Sequence, residues 1–125
     1  MNPQIAIVGP GAIAHHHANA IIASEAHVSA VVGRPQSKSL SAFVEQYQPQ
    51  SVFENIDSFV SAHHEGRLEV DAILLATPWD VTETLVLDIL GLGKPVLAEK
   101  PVTLSAEGLR EIEKRGYAKR LLCAY

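Results

Sequence analysis

Short, nearly continuous apolar runs alternate with helical patterns along the whole chain. The strand-like runs are QIAIV, HVSAVVG, SVF, VDAILLA, PVLAE and RLLCAY, and the main helix-like segments are AIAHHHANAIIAS, SKSLSAFVEQYQ, NIDSFVSAHH, TETLVLDILGLG and 105–115. The second of these helices places Leu40, Phe43, Val44 and Tyr47 at the i, i+3, i+4, i+7 spacing of one helix face. Continuously apolar strands need cover on both faces of a sheet. The sequence therefore predicts an α/β, doubly wound, mostly parallel sheet in a single domain.

Composition supports one folded domain and excludes some partners. The chain has 125 residues, of which 47% are hydrophobic and 19% charged, and its net charge is −4. An acidic balance argues against nucleic acid as a partner, and the basic residues between Lys114 and Arg120 are interpreted as a solvated helix end. The one cysteine, Cys123, is interpreted as a buried inert thiol. With a polar N-terminus and no bilayer-length apolar run, we expect a cytoplasmic protein with no membrane partner.

The turn after the first predicted strand has the pattern G-x-G-x-x-A, formed by Gly9, Gly11 and Ala14. Gly9 permits a tight turn, Gly11 lets the backbone approach a pyrophosphate, and Ala14 lets the following helix pack closely on the strand. The helix N-terminus adds free N–H groups and a partial positive charge. The pattern therefore predicts a dinucleotide cofactor, the alternative being an unrelated glycine turn.

Three consecutive histidines, His15, His16 and His17, follow this turn. Adjacent helical residues point roughly 100° apart, so the three side chains cannot converge on one ion. A helical metal pair needs i, i+3 or i, i+4 spacing, which this segment lacks. We predict no metal site and interpret the imidazoles as solvated or partly packed; whether one of them faces the cofactor cleft stays open.

The end of the second predicted strand bears on the choice between NAD and NADP. An Asp or Glu there would hold the adenosine ribose of NAD, but the sequence reads VVGRPQSKS. Gly33 brings no charge, Arg34 can pair with a 2′-phosphate, and Ser37 and Lys38 can add donors. We predict NADP(H) in preference to NAD(H); the alternative is an ordinary charged turn before a helix.

The motifs of the second half resemble a known family. Thr77-Pro78 and Glu99-Lys100-Pro101 stand within LATPWDVTETLVLDILGLGKPVLAEKPVTLS, and the chain also carries GPGAIA near its start and LLCAY at its end. In these features it resembles the N-terminal nucleotide-binding domain of the glucose–fructose oxidoreductase and inositol dehydrogenase (Gfo/Idh/MocA) family. The resemblance implies a Rossmann fold over residues 1–125.

The resemblance also implies roles for individual residues. The implied cofactor-binding residues are Gly9, Gly11, Ala12 and Ile13 at the pyrophosphate, Gly33, Arg34, Ser37 and Lys38 at the adenosine, Ala76, Thr77, Pro78 and Trp79 along the dinucleotide, and Glu99 and Lys100 beside the nicotinamide. In the family the lysine contacts the reacting hydroxyl or carbonyl and helps proton transfer, which makes Lys100 the catalytic candidate. Thr82 departs from the pattern, because the family often has a histidine there.

By the same resemblance the chain is expected to be part of an oxidoreductase acting on a sugar, polyol or related carbonyl compound. The family's C-terminal domain, which supplies the substrate pocket and the main oligomer interface, has no counterpart in residues 1–125. We therefore expect the chain alone to be incomplete for catalysis. Its expected partners are a dinucleotide, a sugar-like small molecule and a second copy of the chain. The alternative is a non-catalytic nucleotide-binding or sensor module that works through a partner.

Overall fold

Six strands form one sheet, in the order β3-β2-β1-β4-β5-β6, in a computed structural model that describes residues 2–100, 103 and 105–124. The strands are β1 (Gln4–Val8), β2 (His27–Val32), β3 (Ser51–Phe53), β4 (Ala72–Leu75), β5 (Val96–Glu99) and β6 (Leu121–Ala124). Every neighbouring pair is parallel. This order belongs to doubly wound folds of the Rossmann type. The predicted fold class is confirmed.

The helices cover the sheet on both faces. They are α1 (Ala12–Ala23), α2 (Lys38–Tyr47), α3 (Ile56–His64), α4 (Trp79–Leu90) and α5 (Ala106–Lys114), and a 3₁₀ turn (Ala118–Arg120) precedes β6. Helices α1 and α2 pack on one face, where Ala14, Ala18 and Phe43 are completely buried. Helices α3, α4 and α5 pack on the other face, around Phe59 and Ile89. Within the described residues, no helix combines the length and apolarity needed to cross a bilayer.

The helix starts follow local capping chemistry. The Asn55 side chain accepts a hydrogen bond from the Ser58 N–H at 2.8 Å, so Asn55, the first residue of the predicted segment NIDSFVSAHH, is the N-cap of α3. Helix α4 begins at Trp79, three residues before the predicted start at Thr82. The prediction was wrong because Pro78, with φ of −55°, already directs the chain into the helix, and its carbonyl accepts from the Thr82 N–H at 2.8 Å.

The last strand and the turn before it depart from the sequence-based expectations in three ways. Leu122 is 68% exposed, because α1 and α2 do not extend over β6 on their face of the sheet. Cys123 is half-buried rather than buried, and packs against the core on the opposite face. Arg120 is not a solvated residue: its guanidinium donates to the Leu90 carbonyl at the end of α4 and lies 5.1 Å from the Tyr117 ring centroid. Carbonyls at a helix C-terminus attract such cations because the helix leaves them short of donors.

Candidate functional site

The candidate site lies where the connections of the sheet change direction. The chain passes from β1 to β2 on one side and from β4 to β5 on the other, so a crevice opens beyond the carboxyl ends of β1 and β4. Val8 lies opposite Leu75, and Leu75 lies opposite Ala98. The residue after each of these strand positions therefore stands along the same edge of the sheet. That edge brings together the predicted residues Gly9 and Glu99, although they are far apart in sequence.

Gly9 forms the turn out of β1 in a conformation that requires glycine. Its φ is +97°, and its N–H donates to the Val32 carbonyl at 2.9 Å. A Cβ at this position would lie 2.8 Å from Thr77 Cγ2 and 2.9 Å from both the carbonyl carbon and oxygen of Ala76. Both the backbone angle and the contact with the end of β4 exclude a side chain here. The turn is thus held directly against the segment that follows β4.

Gly11 has a different role, because its φ of −78° is open to any residue. No described atom lies within 4 Å of the point where its Cβ would stand, so the space above the turn is open. Helix α1 starts here without a hydrogen bond from a capping side chain in the described part of the chain, and its first turn contains no acidic residue. Ala12 and Ile13, the first two helical residues, are both exposed. Free N–H groups, a positive helix end and an open surface fit an anionic phosphate group.

Gly33, at the end of β2, is packed as well as uncharged. Its N–H donates to the Phe53 carbonyl at 3.0 Å. A Cβ would lie 2.9 Å from Pro10 Cγ and 3.0 Å from Leu40 Cδ1, closer than these side chains tolerate without moving. Glycine therefore lets the end of β2, the proline of the G-P-G turn and α2 approach one another.

The polar residues after Gly33 divide into two kinds. Arg34 and Lys38 are exposed, so both cations are available to a ligand at the end of β2. Ser37 is the N-cap of α2, and its hydroxyl oxygen accepts from the Leu40 N–H at 3.3 Å. Its role in starting the helix explains this serine without any ligand.

Thr82 organises the segment after β4. It is completely buried, its hydroxyl donates to the Thr77 carbonyl at 3.0 Å, and its Oγ1 lies 2.7 Å from Thr77 Oγ1. Pro78 and Trp79 remain exposed beyond this turn, Trp79 at 52%. Where the resembled family often has a histidine, this chain thus has a threonine that is hydrogen-bonded to Thr77 and Pro78 and holds the backbone of this turn.

Glu99 and Lys100 stand at the carboxyl end of β5. Glu99 Oε1 lies 2.6 Å from His17 Nε2, and the two side chains are 21% and 25% exposed, respectively. Lys100 is exposed at the same edge of the sheet. Pro101, which completes the E-K-P motif, lies outside the described residues.

The three histidines of α1 diverge into separate environments. His15 packs on the rings of Phe43 and Tyr47, at centroid distances of 5.5 and 5.3 Å, and its Nδ1 lies 3.2 Å from the Tyr47 hydroxyl. His16 is exposed, and His17 contacts Glu99. In the ranges that the structure describes, no three His, Cys, Asp or Glu side chains are grouped to hold a metal ion.

Sequence reasoning left the role of His17 open, although two signals for it were present. His17 stands three residues after Ala14, and therefore on the side of α1 that meets the sheet. Side chains alternate along a strand, so Glu99 shares a face with Leu97, which packs with the α1 and α2 core. Neither signal identifies the partner until the order of the strands is known.

Comparison with known proteins identifies the family of the chain. Residues 4–123 match the model of the Gfo/Idh/MocA oxidoreductase family, described as an NAD-binding Rossmann fold. The chain is 32% identical over 113 residues to an inositol 2-dehydrogenase of Corynebacterium glutamicum, and 33% identical over 130 residues to that of Agrobacterium fabrum. These alignments cover 88% and 98% of this chain but 32% and 36% of the relatives. The chain thus spans about a third of the length of the curated relatives it matches.

Solved structures give the same fold. The scyllo-inositol dehydrogenase of Lactobacillus casei with bound NAD(H) and scyllo-inositol superimposes with a TM-score of 0.81 at 23% identity, over 99% of this chain and 36% of that one. The chain belongs to the Gfo/Idh/MocA oxidoreductase family, as its motifs predicted. Within that family it is the NAD-binding Rossmann domain.

Proposed function

We propose that this chain binds the dinucleotide for a dehydrogenase that acts on an inositol, a sugar or a related polyol or carbonyl compound. The observation that carries the proposal is the start of α1 above the Gly9 turn, at the crevice between β1 and β4, which no side chain of the described residues caps. A bound nicotinamide cofactor supplies the hydride acceptor or donor of such a reaction. The named inositol 2-dehydrogenases among its relatives support the substrate class.

The same proposal assigns a preference for NADP(H) over NAD(H). NAD-binding folds of this type place a carboxylate at the end of the second strand, where it accepts from the ribose hydroxyls. Here that place holds Gly33, followed by the exposed cations Arg34 and Lys38. A guanidinium can bind a 2′-phosphate through two hydrogen bonds, whereas a carboxylate would repel it. Ser37, whose oxygen caps α2, retains a hydroxyl hydrogen that can be donated to the same phosphate.

Calorimetric titration of the 125-residue chain with NADPH and with NADH tests both parts of this proposal. A charge-assisted phosphate contact contributes about 1.5–3 kcal/mol, so Arg34→Ala should weaken NADPH binding about tenfold or more and leave NADH nearly unchanged. Arg67→Ala is the matched control, because Arg67 is also exposed but pairs with Glu65 in the segment leading into β4, away from the crevice. Equal affinities, or a preference for NADH, would refute the NADP(H) assignment alone. Failure to bind either dinucleotide would refute the whole proposal.

Lys100 is the residue we propose for proton transfer. It stands at the carboxyl end of β5, exposed at the edge where ligands of open α/β sheets bind. Its ammonium can donate to the oxygen of a reacting carbonyl, and its amine can accept from a reacting hydroxyl. Lys100→Met should therefore leave dinucleotide affinity almost unchanged in the titrations above.

We assign residues 1–125 to cofactor binding and the substrate pocket to polypeptide outside them, in keeping with the fraction of the relatives that the chain spans. Binding a cofactor does not orient a substrate, and that orientation accounts for about 7–11 kcal/mol of a barrier. The 125-residue chain should show negligible NADPH oxidation with sugars, inositols and simple carbonyls. Robust turnover abolished by Lys100→Met would instead mean that two copies of the chain build a pocket together. A single cysteine, Cys123, suits the reducing cytoplasm that we propose as its location.

A further inference from the structure

We propose that His17 is a positioning residue for the nicotinamide end of the site. Its hydrogen bond to Glu99 ties the phosphate-binding helix α1 to the strand that ends at Lys100. The inference rests on the proposed function, because it concerns the geometry of the same cleft. It assigns His17 no contact with the reacting atoms.

The direction of Glu99 follows from the pleat of β5. Val96 and Ala98 are buried in the core on the α4 and α5 face, and Leu97 packs with the core on the α1 and α2 face. Successive strand residues point to opposite faces, so Glu99 points toward α1. A carboxylate at the last position of β5 therefore needs its partner on α1 or from solvent. With 21% exposure, its side chain is largely withdrawn from solvent.

The position of His17 is fixed by its own helix. Ala14 and Ala18 are both completely buried against the sheet, and these two small side chains hold α1 close to it. His17 lies between them along the helix and on the neighbouring line of side chains, so its imidazole reaches across toward β5. Because Ala12 and Ile13 begin the same helix, a shift of α1 moves the phosphate site and His17 together.

In the hydrogen bond between His17 and Glu99, the imidazole is the donor and the carboxylate is the acceptor. An ionised carboxylate only accepts hydrogen bonds, so His17 Nε2 carries the hydrogen and donates it to Glu99 Oε1 at 2.6 Å. The bond occupies one carboxylate oxygen and holds the end of β5. Without His17, the end of β5, which the proposed function places beside the nicotinamide, loses this tie to α1.

The neighbouring histidine offers a matched control. His16 is exposed on the same helix, so His16→Ala changes the composition of α1 equally without touching Glu99. His17→Gln keeps an N–H donor on a side chain that can reach the carboxylate, and serves as the conservative variant. Thermal unfolding of each variant separates loss of fold from loss of positioning.

The test compares two ligands that differ only in the nicotinamide. Wild type, His17→Ala, His17→Gln and His16→Ala are titrated with NADPH and with 2′-phospho-ADP-ribose, or with NADH and ADP-ribose if the wild type binds NADH more tightly. We expect His17→Ala to weaken binding of the dinucleotide about fivefold, which corresponds to the net contribution of one ordinary hydrogen bond. Binding of the matching ligand without nicotinamide, 2′-phospho-ADP-ribose or ADP-ribose, should change less than about twofold. His17→Gln should recover most of the loss, and His16→Ala should bind both ligands as the wild type does.

The results for His17→Ala test the role of His17, and the results for the wild type test the proposed dinucleotide binding. Equal losses for the dinucleotide and the fragment would mean that His17 merely supports the fold of α1, and would overturn the inference. So would a His17→Ala chain that binds both ligands like the wild type. A wild-type chain that binds neither ligand would overturn the proposed function, and the inference with it.

Discussion

Replacing Gly9 by alanine should destabilise the chain more than any other single methyl added at the glycine turn. The residue would have to keep φ at +97° with a side chain attached, which costs about 1–2 kcal/mol for an L-residue. Its Cβ would also press on the Ala76 backbone at 2.9 Å, and β4 is a central strand that cannot move away. Overpacking of this kind costs about 1–3 kcal/mol. The sum is about 2–5 kcal/mol of unfolding free energy.

Urea unfolding followed by far-ultraviolet circular dichroism measures this loss directly. For a domain of this size, about 1 kcal/mol lowers Tm by roughly 4 °C, so Gly9→Ala should melt about 8–20 °C below the wild type. Gly11→Ala is the matched control, because its φ of −78° and the open space around it accept a methyl group. The unfolding free energy of Gly11→Ala should stay within about 1 kcal/mol of the wild-type value, because the weaker N-cap is offset by the lower flexibility of the unfolded chain. That variant should instead lose dinucleotide affinity, because its methyl group would stand in the proposed phosphate site. A Gly9→Ala chain destabilised by less than about 1 kcal/mol would refute the steric argument.

Two further predictions concern residues away from the glycine turn. Thr82→Val keeps the shape of a completely buried side chain but removes its hydroxyl, which donates to the carbonyl of the half-buried Thr77. The unfolding free energy should fall by about 0.5–1.5 kcal/mol, the net contribution of one such hydrogen bond. An unchanged urea midpoint would show that the hydroxyl does not hold the turn after β4. Burial, together with the charges of His64 and Lys94, lowers the pKa of His63 below its ordinary 6.5. The unfolded state therefore binds the proton more tightly than the folded state, so the free energy of unfolding should fall as the pH drops through 6.5 and below. His63→Gln should flatten this part of the stability profile, and an identical profile in the variant would assign the pH dependence to other groups.

The amino-acid sequence by itself determined the class of fold and the place of the glycine turn. Continuous apolar runs can be satisfied only between two layers of helices, and the alternation of strands with helices then leaves a parallel sheet as the solution. Glycine at position 9 reports a local backbone angle that few other residues adopt. Asn55 was readable as an N-cap because capping depends on residues only three positions apart. These are local constraints, and they are written in adjacent or nearly adjacent residues.

Tertiary structure alone decided which side chains meet. His17 and Glu99 are 82 residues apart in sequence. They meet only because β4 and β5 come next to β1 in the strand order, and α1 packs on the face of the sheet to which Glu99 points. Arg120 was misjudged for the same reason, since the Leu90 carbonyl that it binds is 30 residues away. Periodicity records which face of an element is buried, but not which element covers that face. The partner of a polar side chain at the end of a strand therefore depends on the order of the strands, which no local pattern contains.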